Sequence, residues 1–282
     1  MYVGAMKTVT LPQGTIAYRE EGTGAPVVFV HGLLTNAALW RHEVPQLAAA
    51  GLRCIVPTWP LGAHDLPMRP DADLDPPGVA TLISAFLDAL DLHDVTLVAN
   101  DTGGAFVQVL MARMPERVGR VVLVSCDTLE VFFPQPFKLL ADLARLPGTT
   151  WLIAQATRLR VLHRLPLVFG LVAKRPLPDA IADSYLTPMR RSRAIRRDLG
   201  KVLRGAHRRH TLAAFERFED FDRPVLLIWA QEERLFPLSL AHRLAGRLPD
   251  ARLELVTDSY TFVPEDRPGV VAGLVRKFAL PD

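Results

Sequence analysis

Two cysteines in 282 residues, Cys54 and Cys126, are too few for a disulfide framework or a cysteine zinc site. Each sits in or beside an apolar run, so both are expected as buried thiols. Charge of one sign is also scarce. The 33 Lys and Arg against 30 Asp and Glu leave a net +3, which asks for no nucleic-acid partner. The start, Met1-Tyr2-Val3-Gly4-Ala5-Met6-Lys7, lacks a charged segment followed by an apolar one, so no secretory leader is expected. The longest apolar stretch, Trp151 to Ala173, is broken by Arg158, Arg160, His163 and Arg164, which argues against a membrane span. A cytoplasmic protein is the expectation. No repeat, low-complexity tract, metal cluster, P-loop or dinucleotide fingerprint is present, so no metal and no cofactor is expected.

What the chain has in quantity is apolar residues, 49% of the total, enough for one large core with an inserted subdomain. Lys7–Leu11 and Thr15–Glu20 read as an antiparallel edge pair. Val27–Val30 is a continuous apolar run, the pattern of a strand buried on both faces. Leu39–Ala50 reads as a helix, Arg53–Val56 as a strand, Pro77–Leu90 as a helix, and Val95–Ala99 and Val121–Val124 as further strands. Residues 131–214 then read as helices broken by Pro134, Pro136, Pro147, Pro166, Pro176, Pro178 and Pro188. Alternation resumes with strands at Pro224–Trp229 and Arg252–Val256 and helices at Leu238–Leu248 and Gly269–Phe278. This order implies an α/β fold: a mostly parallel central sheet with helices on both faces. The expected division is a core of residues 1–130 and 215–282 and a helical cap of residues 131–214.

The most informative segment is Asn100-Asp101-Thr102-Gly103-Gly104, between the Val95–Ala99 strand and a helical pattern, Ala105–Met114. Strand, Gly-rich bend and helix form a nucleophile elbow, which lifts one side chain above the carboxyl end of the sheet. Here that side chain is Asp101. A carboxylate is already ionised at neutral pH and can displace a leaving group from carbon directly, forming an alkyl ester. The bland alternative is an Asp that only caps the following helix. The paired glycines speak against it, since a cap alone needs no close backbone approach.

With His31-Gly32 after a buried strand, the elbow, the late cap and the Trp229-to-Pro237 segment, the chain resembles the α/β-hydrolase superfamily over nearly all its length. An Asp elbow, with His31-Gly32-Leu33-Leu34-Thr35-Asn36-Ala37-Ala38-Leu39-Trp40-Arg41, resembles the haloalkane dehalogenase and epoxide hydrolase branch. That resemblance implies an enzyme with Asp101 as nucleophile and the backbone N–H groups of Leu33 and Thr102 as oxyanion donors. It implies His31 fixing the oxyanion loop, Trp40 and Tyr185 beside the substrate, and a small or medium organic substrate. Glu233 stands at the position of the triad acid, with Asp127 and Glu130 as the alternative acid site.

The chain departs from the branch at three places. Thr102 follows the nucleophile where a Trp or Arg is usual. Thr261, in Asp258-Ser259-Tyr260-Thr261-Phe262-Val263-Pro264-Glu265-Asp266, stands where the catalytic His should be, and no His follows His242. The cap has one tyrosine, Tyr185, where epoxide hydrolases use more than one. A Thr hydroxyl cannot serve as general base at neutral pH. His64, in the loop after the Arg53–Val56 strand, is the candidate surrogate, with Asp65 to orient it; the competing reading is a loop histidine facing solvent. His42, His93, His163, His207, His210 and His242 read as surface residues.

Residues 131–214 hold 16 Lys and Arg against 4 Asp and Glu, a net +12 that leaves −9 for the remainder. A solvated helix face, attraction of an anionic substrate or an acidic partner, and pairing with core carboxylates are all open on sequence alone. Three functions also remain: an Asp-nucleophile hydrolase of a halide, epoxide or ester; a lyase, isomerase or cyclase using Asp101 as general base; and a non-catalytic ligand-binding member. The oligomeric state is not legible.

Overall fold

The computed structural model describes residues 5–135, 137–146, 148–159 and 166–280. Residues 1–4 of the segment read for a leader, Pro136 and Pro147, and Arg160, His163 and Arg164 therefore lie outside the described residues. Eight strands form one sheet: β1 (Lys7–Leu11), β2 (Gly14–Glu21), β3 (Ala25–Val30), β4 (Leu52–Pro57), β5 (Val95–Asp101), β6 (Val118–Cys126), β7 (Val225–Ala230) and β8 (Ala251–Val256). Their order is β1-β2-β4-β3-β5-β6-β7-β8. The β1–β2 and β2–β4 pairs are antiparallel, and every other pair is parallel. The continuous apolar runs explain the middle of the sheet. Val27–Val30, Val95–Asn100 and Val225–Ala230 are buried at every position, as strands covered on both faces must be.

The helices of the sheet layers are α1 (Glu43–Ala49), α2 (Pro76–Ala89), α3 (Thr102–Arg113), α9 (Leu238–Arg247), α10 (Val263–Asp266) and α11 (Pro268–Ala279). Local chemistry sets their starts. Asp75 Oδ1 accepts from the Gly78 amide at 2.8 Å and Pro76 occupies the first turn, so α2 begins with a side-chain cap and a fixed φ. The expected helix over Leu39–Ala50 is instead a short 3-10 turn at Ala37–Trp40 followed by α1. Asn36 caps that turn by accepting from the Ala38 amide at 2.9 Å.

Between β6 and β7 run α4 (Phe137–Leu143), α5 (Thr149–Ala156), α6 (Asp179–Arg191), α7 (Arg193–Gly205) and α8 (Arg209–Glu216). Residue 214, the expected end of the cap, falls inside α8, which packs on α3 in the sheet layer. No helix among the described residues is long and apolar enough to cross a membrane. Cys54 and Cys126 are buried free thiols, and burial pushes Cys54 up to about 12.

Candidate active site

Asp101 ends β5 and immediately precedes α3, with φ 54° and ψ −135°. A positive φ is uncommon for a residue with a Cβ and is held only where the surroundings demand it. Two glycines supply those surroundings. A Cβ on Gly103 would lie 2.6 Å from the backbone oxygens of Val30 and His31, so only glycine lets α3 start this close to β3. A Cβ on Gly32 would lie 2.1 Å from Asp101 Oδ2. The bare Gly32 backbone therefore leaves room for the carboxylate.

The carboxylate accepts hydrogen bonds from the backbone N–H groups of Thr102 and Leu33. The Thr102 hydroxyl adds a long contact to Oδ2 at 3.5 Å. Burial raises the Asp101 pKa to about 6; the Glu233 charge adds to the rise, while the two amides oppose it. His31 fixes the loop that carries Leu33. It is fully buried, its Nε2 accepts from the Trp59 amide at 2.8 Å, and its Nδ1 lies 2.9 Å from the Gly32 carbonyl oxygen. That pattern requires the neutral ring with the proton on Nδ1. Burial accordingly lowers the His31 pKa to about 4.

Above Asp101 is a cavity of about 310 Å³. Leu33, Leu34, Asp101, Thr102, Asp127 and Phe262 form its floor from the sheet side. Phe137, Ile153, Phe169, Leu186, Leu199 and Leu203 contribute its apolar walls from the inserted helices and their connections. No Lys or Arg stands among these lining residues.

Glu233 and Thr261 are brought together beside Asp101 without lining the cavity. Thr261 Oγ1 donates to Glu233 Oε1 at 2.7 Å, and the Arg234 and Leu235 amides donate to the same oxygen at 2.9 and 3.0 Å. Burial holds the Glu233 pKa above the ordinary carboxylate range. Asn100, which the sequence reading passed over, donates from Nδ2 to the Thr261 carbonyl at 2.8 Å and to the Val124 carbonyl at 2.9 Å. Its place directly before the elbow Asp was the only available signal.

The two alternative acids separate. Glu130 is exposed and ion-paired to Arg243 Nη1 at 2.6 Å, outside the cavity. Asp127 is fully buried and lines the cavity; among the described residues neither carboxylate oxygen has a partner in good hydrogen-bond geometry, and the Thr102 hydroxyl stands near enough to oppose the rise of its pKa. Burial, then the Asp101 charge, push its pKa well above the ordinary range. Gln108 of α3 fixes the backbone there, donating to the Asp127 carbonyl at 2.8 Å and accepting from the Thr128 hydroxyl at 2.6 Å.

Three sequence expectations need correction. His64 is neither solvent-facing nor a surrogate base over Asp101. It is buried outside the cavity lining, its Nδ1 accepts from the Gly62 amide at 3.3 Å, and its Nε2 lies 3.3 Å from Asp198 Oδ2 on α7. Its partner is thus Asp198, while Asp65 is exposed. Trp40 packs in the core against Phe29, ring centroids 5.0 Å apart, away from the cavity lining. Tyr185 is also buried off the cavity; its hydroxyl donates to Glu265 Oε1 at 3.2 Å, the oxygen that also receives Arg41 Nη1 at 2.6 Å. Of the readings open for the basic residues between β6 and β7, pairing with core carboxylates is met by Lys174 and Arg175, and no Lys or Arg stands among the described lining residues. Lys174 pairs with Glu232 at 2.5 Å and Asp258 at 3.1 Å, and Arg175 pairs with Asp258, all on the loops after β7 and β8.

A family model for the alpha/beta hydrolase fold matches residues 25–268. A haloalkane dehalogenase of Mesorhizobium japonicum is 31% identical over 61% of this chain and 53% of that protein, so the chain spans about half the length of this relative. A cis-3-alkyl-4-alkyloxetan-2-one decarboxylase of Shewanella oneidensis is 25% identical over 93% of this chain and 84% of its own. Among solved structures, the haloalkane dehalogenase DatA of Agrobacterium tumefaciens has a TM-score of 0.79 at 25% identity, covering 98% of this chain and 96% of that one.

Proposed function

Because the chain belongs to the alpha/beta hydrolase fold family and is similar to its haloalkane dehalogenases, we propose that it is an enzyme whose Asp101 carboxylate attacks an electrophilic carbon of a small or medium apolar organic molecule. The observation that carries this reading is the Asp101 side chain itself. It is held at a positive-φ bend by the Leu33 and Thr102 amides, at the floor of an apolar cavity. Attack by the free oxygen makes a C–O bond to the substrate carbon, and the leaving group departs with its electron pair. The amides then sit against the ester carbonyl oxygen. In hydrolysis they stabilise the negative charge that develops there.

Intact-protein and peptide mass spectrometry after incubation with styrene oxide or 1-bromohexane tests the reading. An adduct on the Asp101 peptide, or probe consumption that is lost in Asp101→Asn, is the expected result. Full consumption by the Asn variant would end the nucleophile reading.

One observation favours a second reading. A carboxyl raised to about 6 is poised as a general base near neutral pH, and the amides could equally hold an enolate oxygen. A lyase, isomerase or cyclase of this kind would exchange solvent deuterium into its substrate without forming an Asp101 ester. The inserted helices act in both readings as the cap that supplies the apolar walls.

A further inference from the structure

Asp127 has no task in the chemistry just described, yet its carboxyl stands at the cavity floor. The β5–β6 ladder explains why. Asp101 pairs with Cys126, so Asp127 is one residue beyond the register partner of Asp101 on the neighbouring strand. Neighbouring strands are about 5 Å apart, which places both carboxyls at the same end of the sheet. Gln108 locks the Asp127 backbone to the elbow helix, and the Asp127 side chain is fully buried and lines the cavity; among the described residues neither oxygen has a partner in good hydrogen-bond geometry, and the neighbouring Thr102 hydroxyl only partly offsets its burial. A buried polar group left in this way is costly unless it has a use.

Resting on the reading of Asp101 as nucleophile, we propose that Asp127 is the proton carrier of the reaction. As the acid, it protonates an oxygen that leaves carbon while Asp101 attacks. As the carboxylate, it then takes the proton of the water that cleaves the Asp101 ester. The substrate class that needs such a residue is a strained cyclic ether, an epoxide, more than an alkyl halide.

The step balances. An Asp101 oxygen forms a bond to a ring carbon, that carbon's bond to the ring oxygen breaks, and the ring oxygen takes the Asp127 proton. Asp101 becomes a neutral 2-hydroxyalkyl ester and Asp127 becomes the anion, so the cavity keeps one negative charge throughout. Water then adds to the ester carbonyl and gives one proton to Asp127; the acyl C–O bond breaks, and the departing diol oxygen takes the water's second proton. The diol leaves, and Asp101 ionised with Asp127 protonated are restored. No histidine is needed at any point, which removes the difficulty that Thr261 poses.

The other candidates for a proton donor are committed elsewhere. The Tyr185 hydroxyl points to Glu265, His64 lies against Asp198, and the Thr261 hydroxyl donates to Glu233. Thr102, Thr150 and Thr157 line the cavity but are too weakly acidic at neutral pH. The ionisable groups around Asp127 are Asp101 on β5, with Glu233 beyond it, and the Cys126 thiol on its own strand, itself pushed up by burial. The Asp101 charge favours the protonated form of Asp127, and that influence vanishes when Asp101 becomes an ester. Asp127 therefore becomes a stronger acid as the ring opens. A halide, by contrast, departs as a stable anion and needs no proton. The lining residues include no Trp to hold one.

The test compares styrene oxide with 1-bromohexane on the full chain, wild type and Asp127→Asn. The expected result is a fall of at least 100-fold in the epoxide-to-bromide ratio of alkylation rates at Asp101, on the order of a lost general acid. The bromide ester should also persist longer in the variant. An unchanged ratio overturns the proposal while leaving Asp101 as nucleophile. If wild type is alkylated by neither probe and consumes neither, the Asp101 reading fails and this proposal falls with it.

Wild type alone gives a second readout that does not depend on how the variant folds. Epoxide consumption should rise and then fall with pH as Asp101 and then Asp127 ionise, whereas bromide alkylation should only rise. Identical profiles for the two probes would overturn the proposal.

Discussion

Asp101 and Gly32 depend on each other. The 2.1 Å approach of a Cβ at position 32 to Asp101 Oδ2 means that Gly32→Ala must displace the carboxylate from the Leu33 and Thr102 amides. Loss of one such donor costs on the order of 100-fold in rate, so Gly32→Ala should alkylate with 1-bromohexane at least that much more slowly. Circular dichroism should still report a folded chain. The Asp101 pKa of about 6 also fixes a pH dependence, since only the ionised form attacks. Alkylation by the bromide should be half-maximal near pH 6, and stopped-flow or quenched mass spectrometry across that range would show it. The same shift has a sign for stability. Folding raises the Asp101 pKa above its unfolded value, so the linked stability is fully present below about pH 4 and is lost as the pH rises through 6. Asp101→Asn cannot ionise. Calorimetry should find it more stable than the parent at neutral pH by about 2–3 kcal/mol, with the gain absent near pH 4.

At the scale of elements, α7 is tied to the loop after β4 by one buried carboxylate. Asp198 Oδ2 accepts from the Met68 amide at 2.9 Å and faces His64 Nε2 at 3.3 Å, and Arg197 binds Asp198 Oδ1 and the Met68 carbonyl. Asp198→Ala would leave an amide and an imidazole without their partner in a dry site. A loss of about 3 kcal/mol is expected, read as a lower Tm and as faster hydrogen exchange in α7. This tie shows where sequence reading stops. Residues 64 and 198 are 134 positions apart, and no local period links them. The strands were legible because apolar runs such as Val27–Val30 have only one comfortable environment, and the elbow because glycine and a charged residue share one sharp bend. The Leu33 and Thr102 amides were named from the resemblance rather than from the bend, and their contact with the Asp101 carboxylate concerns backbone groups that do not depend on side-chain identity. Trp40 and Tyr185 were placed beside the substrate by the resemblance, which does not fix which way an aromatic ring turns; Phe29 and Glu265 decided the direction. Asp127 was legible as a carboxylate after β6, but its complete burial was not.

For the whole molecule, two basic residues of the stretch between β6 and β7 tie it to the sheet side. Lys174 and Arg175 meet Glu232 and Asp258 on the sheet side, while the cavity shows two carboxyls and no cation among its lining residues. An anionic substrate would therefore meet like charge in an apolar space. A carboxylated epoxide should react with kcat/KM at least roughly tenfold below that of its uncharged counterpart, because even partly screened repulsion at such distances exceeds 1 kcal/mol. Progress curves for matched probes would check it. The division of labour along the chain has a further meaning. Asp101, Gly32, Leu33, Thr102 and Asp127 all lie before residue 128, on β3, β5, β6 and the turns at their ends, whereas Phe137, Ile153, Phe169, Leu186, Leu199 and Leu203 lie after it. The reactive groups and the walls that choose what reaches them are separate stretches of one polypeptide. Selectivity can drift, by mutation or by exchange of the stretch between β6 and α8, while the reactive groups stay where the sheet holds them.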